Sequence, residues 1–260
     1  MPTDPEKDTV ILAAHGSRRE PVANAIVQEH ARRLQEDFGW RTVKAAFRQG
    51  TPAFGEVLDT IWVDEVTVVP FFAADGYYAR TVLPRELSLN QRYSNVRLRF
   101  TKAVGTHPGI SSLVDQRVRH LVRQFHLKVD QTALIVVGHG TRRHASSSAS
   151  TRTLVKDLRD RKVYSEVHSA FLDEPPRLEE VFGGLGQPQI VVFPFFMGGS
   201  YHVLQDLPGR LGMENRVGNI FPAQAMRAGQ QVIFDRAIGS DERITSIIAE
   251  LATDGRSAQE

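Results

Sequence analysis

Two stretches of this chain carry an apolar run that stops on the same short motif. Residues 133–143 read ALIVVGHGTRR and residues 9–19 read TVILAAHGSRR, which sets His139 and His15 at 139 − 15 = 124 positions apart. A continuous run of apolar and β-branched residues is what a strand buried on both faces of a parallel sheet requires. Open α/β sheets bind ligands in the crevice outside the carboxyl ends of their strands, so each histidine is expected at such an exit. The same offset relates Ala46-Phe47 to Ala170-Phe171, Pro52 to Pro176, VVPFF at 68–72 to VFPFF at 192–196, and Leu83-Pro84 to Leu207-Pro208. A spacing that holds at separated motifs marks an internal duplication. It predicts two similar α/β domains in tandem, 9–125 and 132–253, linked by HLKVDQ at 126–131.

Within each copy, β-rich runs alternate with helical patterns, which predicts βα units and a mainly parallel sheet flanked by helices. After the strand ending near Ala14, Val22, Ile26, Leu34 and Phe38 fall at multiples of four on one helix face. His30 shares that face and reads as a packing histidine rather than a ligand. Strands follow at 42–47, 65–70 and 96–104, with a short helix after Pro52, and a helix from 110 to 125 closes the copy. The second copy repeats the plan: a strand to Gly138, a helix to about Arg161, a strand at 163–172, a helix from Pro176 and a strand at 189–194. A strand near 217–221 and a helix bearing Ile244, Ile247, Ile248 and Leu251 finish it, and the polar tail beyond Thr253 is expected to be disordered.

Composition works by exclusion. The formal net charge of +2 makes no global case for nucleic-acid binding. The absence of cysteine excludes disulfides, thiolate metal sites and protein-ligated iron–sulfur clusters. No apolar stretch approaches the roughly 20 residues that span a membrane, and the N-terminus MPTDPEKD is too polar for a signal peptide, which makes the cytoplasm the expected compartment.

Three groups of the second copy are expected at one sheet edge. His139 ends the first strand, Asp173 follows the second at AFLD, and His202 follows the third after PFFMGGSY. Two imidazoles and a carboxylate leave coordination positions open on a divalent metal, as a site that hands its metal onward requires. Gly198 and Gly199, followed by Ser200, allow close approach of a flat ligand. Each feature also has a bland reading: a Gly-His-Gly turn, Asp173 as the cap of the helix after Pro175-Pro176, a flexible glycine loop. Their coincidence at matching strand ends favours a site. Arg18, Arg19, Arg142 and Arg143 follow the two turns, as carboxylate-binding forks near helix N-termini or as solvated surface residues. The offset maps Tyr78 onto His202 and Gln49 onto Asp173, so His15 lacks both partners and a second complete metal site is not expected.

The HGSRR and HGTRR exits, the AFLD element and the loop PFFMGGSYHVLQDLP resemble those of the sirohydrochlorin chelatases, a family of class II tetrapyrrole chelatases. The resemblance runs from about Thr9 to Phe221. It implies two α/β domains facing a cleft and insertion of Co(II) or Fe(II) into sirohydrochlorin or a related acidic tetrapyrrole, for cobalamin or sirohaem synthesis. It implies that His139, His202 and Asp173 bind the metal and carry the catalysis, with Glu174 as the alternative acid. His15, Arg18, Arg19, Arg142, Arg143, Gly198, Gly199 and Ser200 are then the residues expected at the macrocycle. The divalent metal is a substrate, and no tightly bound cofactor, nucleic acid or membrane partner is expected. Both metals accept histidine and carboxylate ligands, so the sequence separates neither them nor an oligomeric state. A non-catalytic metal or tetrapyrrole carrier and a ferrochelatase acting on a less acidic porphyrin are the alternatives, the second disfavoured by the paired arginines.

Overall fold

The computed structural model describes residues 9–18, 21–89, 96–141, 146–198, 201–213 and 221–257. These fall into two compact units: one from 1–107, 197–200 and 239–260, the other from 108–196 and 201–238. None of the described helices is long and apolar enough to cross a membrane.

The first unit contains β1 (Thr9–Ala14), α1 (Pro21–Phe38), β2 (Thr42–Phe47), α2 (Phe54–Val57), β3 (Glu65–Pro70), a π-helical turn at Tyr78–Val82 running into α3 (Leu83–Leu89), and β4 (Arg97–Phe100). Its sheet is parallel throughout, in the order β2-β1-β3-β4. Every residue of β1 is buried, which is why its sequence shows no polar alternation. Ile11, Ala13, Ala46, Val66 and Val68 pack on one face against Phe54, Val57, Leu83 and Leu87.

The second unit contains α4 (Gly109–Gln124), β5 (Thr132–Gly138), α5 (Ser146–Asp160), β6 (Glu166–Phe171), α6 (Leu178–Gly183), β7 (Gln189–Pro194), α7 (Tyr201–Arg210), β8 (Ala223–Arg227) and β9 (Gln230–Phe234). Its sheet order is β6-β5-β7-β9-β8, with only β8 antiparallel. The duplication is visible in the register. Val10 pairs with Val43 and Thr67, and Leu134 pairs with Val167 and Val191, every partner displaced by the same 124 positions. Beyond the third strand the offset breaks: Val66 pairs with Leu98 but Ile190 with Val232, and 232 − 98 = 134. The added length accompanies β8 and the hairpin turn at Ala228 and Gly229, both at positive φ. The strand expected near 217–221 falls mostly on 214–220, outside the described residues; the strand that pairs with β7 is β9.

The units also depart from the sequence repeats in their helices. α4 ends the first repeat in sequence but belongs to the second unit, and the last helix, α8 (Ile244–Ser257), belongs to the first. Buried polar ties hold both. Arg117, 5% exposed, places Nε 2.8 Å and Nη2 3.0 Å from the Asp235 carboxylate, and also donates to the carbonyls of Arg236 and Ala237. In the first unit, His30 is 3% exposed, with Nε2 2.8 Å from the Gly239 carbonyl and Nδ1 2.9 Å from the Thr245 hydroxyl. The carbonyl can only accept, so Nε2 carries the hydrogen and Nδ1 accepts from Thr245. α8 runs past Thr253 to Ser257 where disorder was expected, because a docked helix propagates at one hydrogen bond per residue.

Burial, the largest effect, pushes the His30 pKa below 6.5. The unfolded chain therefore binds a proton that the folded one refuses, and His30's contribution is present above about pH 6.5 and is lost as pH falls toward the depressed value. Urea unfolding from pH 7.5 to 5 is expected to show wild-type stability dropping across that range. His30→Leu should be less stable by about 1–3 kcal/mol at pH 7.5, since Gly239 and Thr245 lose their partner, and should drop less steeply. Parallel pH profiles for the two proteins would contradict this role.

Candidate functional site

The exit of β5 is set by backbone hydrogen bonds that outlast the regular ladder. β5 is buried along its whole length. Past its end, the Leu172 and Asp173 amides both donate to the His139 carbonyl at 3.1 Å. The Asp173 bond recurs in the first unit, where the Gln49 amide donates to the His15 carbonyl at 2.8 Å, while the Arg48 amide donates to the Ala14 carbonyl at 3.1 Å. Asp173 is thereby laid beside His139, its Oδ2 3.1 Å from the ring Nδ1, which also lies 3.2 Å from the Gly140 carbonyl. Two acceptors flank Nδ1, which assigns the ring hydrogen there and leaves Nε2 with an available lone pair. The side chains are 65% and 53% exposed, so the pair adds little to stability and is open to a ligand. Gly140 has φ +69°, and a Cβ on it would stand 2.7 Å from Glu174 Cγ and 2.9 Å from Phe171 Cβ. The glycine is thus needed for the turn, and the turn presents the histidine.

The neighbouring acid does something else. Glu174 is 8% exposed; its Oε2 accepts from the Thr141 amide at 3.0 Å, and its Oε1 lies 3.4 Å from Arg152 Nη2. The first unit satisfies the equivalent amide, Ser17 N–H, with Asn24 Oδ1 at 2.9 Å. Gly50, the counterpart of Glu174, leaves the room that Asn24 occupies, since a Cβ there would stand 2.8 Å from Asn24 Nδ2. Glu174 therefore caps a turn while Asp173 faces His139. Asp173 does not cap the next helix either: Arg177 precedes α6, and its amide donates to Glu180 at 2.9 Å.

His202 lies in the first turn of α7, and its side chain is outside the described part of the structure. Arg19, Arg142, Arg143, Gly199 and Ser200 also lie outside the described residues. Among the described residues no group of three metal-ligating side chains occurs. Gly198 has no atom within 4 Å of where a Cβ would stand, so crowding by the protein does not demand glycine there. Arg18 is exposed after the β1 turn. His15 is exposed and meets the Tyr78 ring edge-on, centroids 5.4 Å apart, so the residue at the His202-equivalent position does reach the strand-exit histidine of its own repeat. Arg48, 5.2 Å from the Tyr78 centroid and paired with Glu86, and Tyr77, 6.1 Å from Tyr78, complete a cation–aromatic cluster that sequence reasoning missed. Position was the available signal, since Arg48 directly precedes Gln49, the counterpart of Asp173. A recess of about 410 Å³ lined by Arg159, Lys162, Tyr164, Glu166 and His168 lies at the amino end of β6, away from the strand exits.

The duplicated units place the chain in the chelatase-like fold class. The structure of DR2241 from Deinococcus radiodurans, a multi-domain protein with structural similarity to chelatases, superposes with a TM-score of 0.78 at 22% identity over 96% of this chain. This chain spans 56% of that protein's length. The structure of CbiX, the terminal enzyme for biosynthesis of siroheme in denitrifying bacteria, superposes with a TM-score of 0.75 at 22% identity, covering 98% of this chain and 100% of the other. The CbiX family model matches residues 9–121 and again 133–254, once per repeat, and the chain belongs to the CbiX family. A curated relative from Halobacterium salinarum, a probable sirohydrochlorin cobaltochelatase, is 27% identical over 265 residues, covering 94% of this chain and 90% of its own length.

The division of labour between the adjacent acids gives a stability contrast. Asp173→Asn is expected to change the unfolding free energy by less than about 0.5 kcal/mol. Glu174→Ala should lower it by about 1–3 kcal/mol, because the Thr141 amide loses its acceptor. Urea titration of both variants checks this, and an equal loss in the two would contradict the assignment.

Proposed function

We infer that this chain is a sirohydrochlorin chelatase that inserts Co(II) or Fe(II) into the macrocycle, with the working metal site in the second repeat and a degenerate one in the first. The observation that carries this reading is the exposed His139–Asp173 pair, 3.1 Å apart at the β5 exit, in a chain of the CbiX family. The name of the Halobacterium relative supports a cobalt reaction, and that of the denitrifier enzyme a role toward siroheme.

Insertion replaces two pyrrole N–H hydrogens with one divalent metal and releases two protons. His139 presents Nε2 to the incoming ion, and a neutral imidazole holds Co(II) or Fe(II) yet yields to the ring nitrogens. Asp173, on Nδ1, fixes the ring orientation and raises its basicity, so its part is to orient the ligand rather than to bind the ion itself. Once the metal has passed to the macrocycle, Nε2 is free to take one of the two pyrrole protons, the adjacent carboxylate stabilises the imidazolium that results, and the other proton leaves to solvent at this exposed edge. His202 supplies the second imidazole from the start of α7. The metal is the substrate, and with no cysteine in the chain the reading involves no iron–sulfur cluster and no resident cofactor. Arg18, Arg19, Arg142 and Arg143 complement the substrate carboxylates, and His15 with Gly198, Gly199 and Ser200 contacts the ring.

Anaerobic incubation with sirohydrochlorin and either metal, followed by absorption spectra, tests the reading. Wild type is expected to form the metallated product. His139→Ala and His202→Ala should lose about a hundredfold or more in insertion rate, and Asp173→Asn about 10–100-fold. His15→Ala should keep Co(II) binding. Full activity in His139→Ala would refute the site, and wild type that binds metal and macrocycle without joining them would be a carrier.

A further inference from the structure

We propose that Glu174 is a positioning residue for His139 and acts on its imidazole through the Gly140–Thr141 peptide. This rests on the reading of His139 as a metal ligand. The carbonyl of Gly140 and the amide N–H of Thr141 belong to one planar peptide unit and point in opposite directions. His139 Nδ1 lies 3.2 Å from that carbonyl, and the N–H donates to Glu174 Oε2 at 3.0 Å. Fixing the N–H therefore fixes the carbonyl, so the Glu174 carboxylate sets where one of the two acceptors on Nδ1 stands. The other acceptor is Asp173 Oδ2, at 3.1 Å. The imidazole thus has one carboxylate in direct contact and a second acting from one peptide away.

Glu174 is itself held in place. It is 8% exposed, whereas the Asp173 side chain is 53% exposed. A Cβ on Gly140 would stand 2.7 Å from Glu174 Cγ and 3.1 Å from its Cδ, so the acid lies directly against the glycine. From α5, Arg152 Nη2 lies 3.4 Å from Glu174 Oε1 and 3.5 Å from the Pro175 carbonyl, with its guanidinium 4.8 Å from the centroid of the Phe171 ring. Hydrogen bonds in a chain polarise one another. A carboxylate drawing on the Thr141 N–H makes the Gly140 carbonyl a stronger acceptor, which favours the hydrogen on His139 Nδ1 and leaves the Nε2 lone pair for an ion.

The first repeat supplies an internal control. There the equivalent amide, Ser17 N–H, donates to Asn24 Oδ1 at 2.9 Å, and Asn24 Nδ2 donates back to the Ser17 carbonyl at 3.1 Å. Removing either side chain takes the acceptor from a matched turn, but only the turn at Thr141 follows a proposed metal ligand.

The test titrates Co(II) into wild type, Glu174→Ala, Glu174→Gln, Glu174→Asp, Asn24→Ala and His139→Ala, with circular dichroism confirming the fold of each. Glu174→Ala is expected to weaken Co(II) binding about 10–100-fold. Glu174→Gln, whose amide oxygen reaches the same N–H, should stay within about threefold of wild type. Glu174→Asp, which keeps the charge but falls one methylene short, should weaken binding about tenfold. Asn24→Ala should stay within about twofold although it also loses a turn acceptor. Should Glu174→Ala fail to fold, the contrast between Glu174→Gln and Glu174→Asp decides in its place. Wild-type affinity in Glu174→Ala and Glu174→Asp, or an equal loss in Asn24→Ala, would overturn the inference. Nitrogen-15 spectra of histidine-labelled, metal-free protein at about pH 8.5, above the ordinary imidazole range, read the same coupling without a metal. The His139 signal, identified by its absence in His139→Ala, is expected to report hydrogen mainly on Nδ1 in wild type and Glu174→Gln, and to shift toward the Nε2–H form in Glu174→Ala and Glu174→Asp. An unmoved tautomer overturns the positioning role whatever the metal does. If the tautomer shifts as expected while His139→Ala binds Co(II) as wild type does, the positioning of His139 stands and its assignment as a ligand has failed.

Discussion

The site depends on a few amide hydrogen bonds at the carboxyl edge of a buried parallel sheet. β5 is wholly buried, so its axis is fixed by packing, and β6 follows it in register up to Gly138 and Phe171. The pairing then runs on, and the Asp173 amide donates to the His139 carbonyl after regular strand geometry has ended. Two residues far apart in sequence are thereby held at 3.1 Å by backbone, leaving their side chains in solvent for chemistry. Gly138 belongs to the same arrangement: a Cβ there would stand 2.5 Å from Thr151 Oγ1 and 3.2 Å from the Phe171 ring, so β5, β6 and α5 meet closely just behind the histidine.

The two repeats keep this backbone and differ in what it presents. Each places a cis bond before the matched prolines, Thr51-Pro52 and Pro175-Pro176, and each returns an amide to the carbonyl of its strand-exit histidine. The turn amide after that histidine is satisfied by Asn24 in one repeat and by Glu174 in the other, an exchange made possible by a glycine at position 50. In the first repeat Tyr78 meets His15 and Arg48 lies over the Tyr78 ring, whereas the second repeat sets the Asp173 carboxylate beside His139. The second-repeat exit thus presents an imidazole beside a carboxylate, and the first an imidazole beside a tyrosine that an arginine covers.

Legibility in the sequence followed burial. Strands β1 and β5 were readable because a strand covered on both faces must be apolar at every position, and matched motifs then fixed the order of the units. The placement of His139 and Asp173 at neighbouring strand exits followed from that order. The β8–β9 hairpin was not readable: its turn puts Ala228 at positive φ, where glycine or asparagine is the usual signal, and only the central residue of β8 is buried. The apolar faces of α4 and α8 announce helices but not which sheet each covers. That choice rests on Arg117 with Asp235 and on His30 with Thr245, pairs remote in sequence. Asp173 and Glu174 are chemically alike as letters; Thr141, Arg152 and His139 separate them in space.

A crystal structure of the protein with bound Co(II), checked by anomalous scattering at the cobalt edge, tests the central claim most directly. The expected result is one ion about 2.1 Å from His139 Nε2, with His202 as a further ligand and Asp173 still on Nδ1. An ion bound at His15, or one coordinated by Asp173 with His139 uninvolved, would contradict the account.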